Sequence, residues 1–176
     1  MSVNACNNTE SRREDWGTPQ PMFDSLHEIF DFKVDLCASK ENTKTQLYVS
    51  EEMDLLQTDC FLVDTFVSYS SYMWINPPYK SHGGTGKYVG RAVEIAGTRG
   101  LACLIPVSVG SLWWGRHVWP HFDIFIFPRR FPFAGAGDKA KFDCAICIRK
   151  AQSDHNFKEK TIKLKALKLG QIVERI

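Results

Sequence analysis

In this 176-residue chain, Asn76-Pro77-Pro78-Tyr79 is the stretch whose residue types and spacing speak most directly of chemistry. It follows the apolar run Met73-Trp74-Ile75 and precedes the glycine-rich Gly83-Gly84-Thr85-Gly86. The exocyclic amine of adenine or cytosine is a poor nucleophile, because its lone pair is delocalised into the ring. Two acceptors aimed at its two N–H bonds, the Asn76 side-chain oxygen and the Pro77 carbonyl, localise that lone pair toward an incoming methyl group. Proline presents its carbonyl at a fixed φ and adds no competing donor. Tyr79 offers a ring face to the base, with stacking worth roughly 1–3 kcal/mol. A base inside a duplex cannot present its amine to a deep pocket, so this chemistry implies an extruded base. Asn76 has no carboxylate and is not a general base. Its contribution is orientation, with nitrogen, methyl and a sulfonium sulfur held in line. Taken alone, a Pro-Pro pair also reads as a polyproline-like turn that ends a strand. The asparagine before it, at a strand's C-terminal end, stands where open α/β sheets bind ligands.

The elements that must position this stretch alternate along the chain. Phe23, Leu26, Ile29 and Phe30 recur at helical spacing, and Pro19 and Pro21 place the helix start near residue 21. FKVDLC reads as a short strand ending near Asp35, followed by the polar turn ASKENTKTQ. LYV is a candidate second strand, and FLVDTFVSYSSYM has no clean period. YMWIN is the next strand, and KYVGRAVEIA is helical, with Val89, Ala92, Val93 and Ala96 along one side and Thr85 as its candidate N-cap. LACLIPV is the continuous apolar run of a strand covered on both faces. SLWWGRHVW suits a short helix or aromatic lid, and FDIFIF and FDCAICI read as strands. Strand–helix alternation with continuous apolar strands predicts an α/β fold with a mainly parallel sheet. The 14-residue connection before FDCAICI shows no helical pattern, so the last two strands are expected to pair antiparallel. The basic tail from about 150 to 176 is left open between a helix and an edge strand.

Composition sets the frame. With 44% hydrophobic and 24% charged residues, the chain is expected to be a globular domain over 15–176 behind a loose polar lead at 1–14. The lead has no apolar signal-peptide core, and no apolar run is long enough to span a membrane. The expectation is a cytoplasmic protein with no membrane partner. Cys37, Cys60, Cys103, Cys144 and Cys147 lie within or beside apolar segments, which predicts reduced, buried thiols and no metal. The net charge of +2 hides an asymmetry. Residues 1–65 hold 13 acids against 5 Lys and Arg, residues 66–148 hold 4 against 9, and residues 149–176 hold 3 against 8. A basic half permits a phosphate-backbone partner; it is also what a solvated tail balancing an acidic lead would show.

Four stretches in order, WGTPQPMFDSLHEIFDFKVDLCASKEN, YMWINPPY, LACLIPV with SLWWGRHV, and FPRRFPFAGAGDKAKFDCAICI, resemble the phage-type DNA N-6-adenine methyltransferases of the Dam-like group over about residues 15–148. The resemblance implies a three-layer Rossmann-like sheet of seven strands with an antiparallel terminal pair. It also implies S-adenosylmethionine as methyl donor and double-stranded DNA as partner, in a bacterial cell and with a phage or prophage origin. By the same resemblance, Asn76, Pro77, Pro78 and Tyr79 form the catalytic segment. Trp16, Thr18, Pro19, Asp35, Cys37, Ala38, Ser39, Asn42, Asp54 and Asp59 belong to the donor pocket. Asp35 faces the donor's amino-acid end, and Asp54 and Asp59 its ribose or adenine. The loop after Asp35 reads Cys-Ala-Ser and lacks the glycines common in such folds.

The candidates for touching DNA are Lys80, His82 and Lys87 beside the proposed base pocket, and Arg129, Arg130 and Lys139 in the loop FPRRFPFAGAGDKAK. Trp113, Trp114 and Trp119 are read as packing residues. RNA or protein-glutamine methylation, cytosine-N4 methylation, and a non-catalytic DNA-binding protein that has kept the fold are the alternative readings.

Overall fold

The structure, a computed structural model, describes residues 16–59, 67–79, 84–128, 130–134 and 142–167. Helix α1, Gln20–Phe30, starts just after Pro19, with Pro21 in its first turn, where a missing N–H costs nothing. It buries Met22, Phe23, Leu26 and Phe30 and ends at Asp31, whose φ of 53° breaks the helical path. Strand β1 covers Phe32–Asp35, β2 Leu47–Tyr48 and β3 Tyr72–Ile75. Helix α2 is Gly84–Ala96, strand β4 Gly100–Pro106, helix α3 Leu112–His117, strand β5 Asp123–Ile126, strand β6 Cys144–Arg149 and helix α4 Phe157–Ala166.

The strands form one sheet in the order β2-β1-β3-β4-β6-β5. The first four run parallel, and β6 is antiparallel to both of its neighbours. The α/β expectation and the antiparallel last pair therefore hold. The seven strands implied by resemblance are six among the described residues.

Side-chain alternation along the strands explains the two hydrophobic cores. Tyr72, Trp74, Ala102, Leu104, Ile146 and Ile148 pack with α1 and with Leu164 of α4. Met73, Ile75, Leu101, Cys103, Ile105, Ala145 and Cys147 pack with α2 and Trp114 of α3. Each fully buried Leu, Ile or Phe contributes about 1.5–3 kcal/mol relative to exposure, so both faces are committed to core. The stretch left open at the C-terminus is helical over α4. It is tied down by Asp154, which accepts from Tyr72 at 2.6 Å and from Lys160 at 2.9 Å, with the Lys160 ammonium over the Tyr72 ring.

Two details correct the sequence reading. Thr85 lies inside α2 instead of capping it, and its hydroxyl donates to the Pro78 carbonyl at 3.1 Å. The buried face of α2 includes Ile95, while Val93 is only partly covered. Gly86 and Gly90 let α3 approach α2 closely. A Cβ at Gly86 would run into the Trp113 Cβ, and one at Gly90 would sit 2.9 Å from the His117 ring. Cys103, Cys144 and Cys147 are unbridged and buried, and burial pushes the last two thiols up to about 12, which leaves them inert. No helix among the described residues is long and apolar enough to cross a membrane.

Candidate active site

Because β2, β1, β3 and β4 run parallel, their C-terminal ends share one edge of the sheet, and the loops leaving them form the site. Asp35 closes β1 opposite Tyr48 and Trp74. The pairing continues past it: Leu36 N–H donates to the Trp74 carbonyl, Val49 N–H to the Asp35 carbonyl and Ala38 N–H to the Val49 carbonyl. The loop Cys-Ala-Ser is thus held by ladder-like bonds, and none of its residues takes positive φ. That is why it needs no glycine.

The Asp35 carboxylate is almost fully buried. One oxygen accepts from Cys37 N–H at 3.3 Å and the other from Lys44 N–H at 3.2 Å. Burial pushes its carboxyl up to about 7, against the opposing pull of those two N–H groups and of the Lys44 charge. A carboxylate so placed gains most from a cationic partner that enters beside it. Asn42 spends its side-chain oxygen inside the same loop, accepting from Ser39 N–H at 2.7 Å.

Beyond β2 the chain turns back on itself. Asp54 sits at φ 46°, in the left-handed region that short polar side chains tolerate, and its carboxylate accepts from Leu56 N–H at 3.1 Å. A non-glycine residue in that region at a cleft wall is the kind of local strain found at ligand sites.

On the other wall, β3 delivers Asn76. Its Nδ2 donates to the Trp16 carbonyl at 2.8 Å, and its Oδ1 accepts from the Tyr79 hydroxyl at 2.9 Å. A carbonyl on one side and a hydroxyl donor on the other allow only one orientation of the amide. The Tyr79 hydroxyl is also 3.0 Å from the Leu104 carbonyl. Burial, first of all, holds that hydroxyl well above the usual phenol range, so it remains a donor. Trp16 stacks on Phe133 and on Phe142, both at 5.2 Å, while Tyr79 meets all three rings edge-on. A short bridge between Gly17 and Ala134 fastens the two segments that carry these rings.

Between the walls lies a cleft of about 520 Å³, a size ordinary for a small-molecule site. Of the residues expected there, Trp16, Thr18, Asp35, Cys37, Ala38, Ser39, Asn42, Asp54 and the whole of Asn76, Pro77, Pro78 and Tyr79 line it. Pro19 and Asp59 lie outside its lining. Pro19 is buried at the start of α1, where its carbonyl accepts from Phe23 N–H, and Asp59 is exposed. Lys87 is exposed in the first turns of α2, and Arg130 is exposed beyond β5. Lys80, His82, Arg129 and Lys139 fall outside the described residues.

Sequence reasoning missed Lys44, Glu51, Trp74 and Tyr88 in the lining. Glu51 carried a usable signal, an acid three residues past a short strand. Lys44 carried none, since it arrives through a turn held by Asn42 and Asp35.

With this geometry in place, comparison with known proteins is specific. A family model described as DNA N-6-adenine-methyltransferase (Dam) matches residues 5–166. A Haemophilus phage HP1 (strain HP1c1) protein described as a DNA N-6-adenine-methyltransferase is 31% identical over 77 residues, a stretch covering 43% of this chain and 40% of that relative. The matched stretch therefore spans well under half of the relative's length. The family match takes in every strand of the sheet and all the lining residues of the cleft, and the chain belongs to the DNA N-6-adenine-methyltransferase (Dam) family.

Proposed function

We propose that this protein transfers a methyl group from S-adenosylmethionine to N6 of an adenine flipped out of duplex DNA. One observation carries the reading: a buried carboxylate primed for a cation and an asparagine amide with a locked orientation line the same cleft. The sheet supports it, since a single reversed strand set between parallel ones is compatible with a Rossmann-like methyltransferase sheet.

The residues fit the donor. Asp35 suits its ammonium group, and Val49, Leu55 and Leu56 give an apolar surface for a flat ring. Glu51 and Asp54 supply acceptors for its hydroxyl or amino groups. The donor supplies an electrophilic methyl group on a sulfonium, so no residue need activate it. Asn76 and the Pro77 carbonyl would hold the adenine amine by its N–H bonds, turning its lone pair toward the donor side of the cleft. The bonds to Trp16 and Tyr79 fix Asn76 in advance, which removes reorganisation at the moment of transfer. Oδ1 has a second lone pair, so accepting from Tyr79 does not exhaust it. The proton left on nitrogen after transfer goes to water.

The test is transfer of labelled methyl groups to unmethylated plasmid DNA, followed by nucleoside analysis. Label in N6-methyladenine is expected. Label in N4-methylcytosine, or in RNA but not DNA, would overturn the base or substrate assignment.

A further inference from the structure

The turn at residues 107–111 and helix α3 form a rigid ledge that the cleft chemistry does not use. The turn is closed by Ser111, whose N–H and hydroxyl both donate to the Ser108 carbonyl, at 2.9 and 2.8 Å. Ser111 Oγ also caps α3 by accepting from Trp114 N–H at 3.4 Å. Trp114 is fully buried, Trp113 packs against Gly86 and His117 against Gly90, so α3 has little freedom to move on α2. The ledge is joined to elements that hold the amine site. It follows β4, the strand whose Leu104 carbonyl meets the Tyr79 hydroxyl, and it leans on the α2 turn whose Thr85 bonds Pro78.

This anchored ledge nevertheless exposes apolar side chains. Leu112 is 80% exposed and Val109 53%, with Trp119 at 57% just beyond. One exposed leucine needs no explanation. Here the apolar tips accompany cations: Arg116, one turn after Leu112 on the same helix face, is exposed, as is Lys87 on α2. No Asp or Glu occurs between Glu94 and Asp123. An apolar tip flanked by cations fits a nucleic-acid duplex, where the cations meet phosphates and the tip enters the base stack.

We infer that the ledge is a DNA-contact surface, in which Leu112, flanked by Val109, wedges into the stack left by the extruded adenine while Arg116 holds a phosphate. The inference rests on the proposed transfer to a flipped base. Leucine is a suitable wedge because it fills the gap without hydrogen bonds that would select a sequence.

The test uses the full chain and duplexes carrying the adenine that plasmid methylation identifies. Transfer rate is measured on a fully paired duplex and on one lacking the base opposite the target, where extrusion is easier. Leu112→Ala is expected to lose about tenfold on the paired duplex and to recover to within about twofold of wild type on the other. Leu112→Met should behave as wild type on both. Arg116→Ala should flatten the dependence of log affinity on log salt by about one. Donor affinity should be unchanged in all three, and the exposure of Leu112 and Arg116 keeps folding out of the result. Wild-type behaviour of Leu112→Ala on the paired duplex, or an equal loss on both duplexes, overturns the wedge while methyl transfer stands. A wild-type protein that methylates no DNA overturns the proposed function, and the wedge with it.

Discussion

Replacing Asp35 with asparagine probes the proposed donor end of the cleft through its pH dependence. Asp35 must be ionised to pair with the donor's ammonium, and its carboxyl titrates at about 7. An α-amino group titrates near 7.8, so the ammonium is lost above that pH. Affinity should follow the product of the two charged fractions. That product peaks near pH 7 to 8 and falls on the acid side, approaching about tenfold per pH unit well below 7. Below pH 7 Asp35 is mostly protonated in the free protein, so binding there should release a substantial part of one proton. Calorimetry in two buffers of different ionisation enthalpy reads that release directly. Asp35→Asn should weaken binding roughly 30-fold or more at pH 7.5, since it leaves a buried ammonium without its counter-charge. It should also abolish both the acid limb and the proton release. The sign for stability is opposite. A carboxyl raised above its unfolded value stabilises the free protein below about pH 4 and ceases to do so as pH rises through 7. Asp35→Asn should therefore raise the Tm of the free protein at pH 8. A flat pH profile in the wild type, or an unchanged acid limb in the variant, would refute the role given to Asp35.

The other expectations concern the amine end and the helix contact. Asn76→Ala should lower single-turnover methyl transfer by at least about 100-fold with donor affinity within about twofold of wild type; near-normal turnover would remove the orienting role. Tyr79→Phe keeps the ring and deletes the hydroxyl that holds Asn76 Oδ1, so a loss of about tenfold in turnover, with unaltered donor binding, is expected in the same assay. Gly86→Ala drives a methyl group into Trp113 and should destabilise the fold by about 1–3 kcal/mol in urea titration; a neutral result would contradict the close approach of α3 to α2.

How far the sequence revealed the site depended on what holds each part. Continuous apolar runs announced β3, β4 and β6, because strands covered on both faces leave no polar positions to obscure them. The prolines at 19 and 21 placed α1 to within a residue. Asn76 was readable because it ends such a run, and Asp35 because it ends the short strand FKVD ahead of a polar turn. The stretch after β2 was not. Residues 49–59 are a series of turns kept in place by backbone bonds and by Asp54 at positive φ, and neither leaves a periodic trace. Glu51 reaches the cleft through those turns, its one signal being an acid shortly past a short strand, and Lys44 through the earlier turn held by Asn42 and Asp35, which leaves no pattern at all. Thr85 has the residue type of a cap, yet its hydroxyl is drawn to the Pro78 carbonyl, a contact set by the meeting of two loops. The ledge at Leu112 was hidden for a similar reason. SLWWGRHV announces packing, and only the fold shows that its leucine points away while its tryptophans turn in.

In the proposed function, one cleft holds the donor at Asp35 and presents it to Asn76. A crystal structure with S-adenosylhomocysteine tests it most directly. The ligand's ammonium is expected within hydrogen-bonding distance of the Asp35 carboxylate, with its sulfur facing the Asn76 amide. A ligand seated elsewhere on the chain, or in the cleft with its sulfur turned away from Asn76, would contradict it.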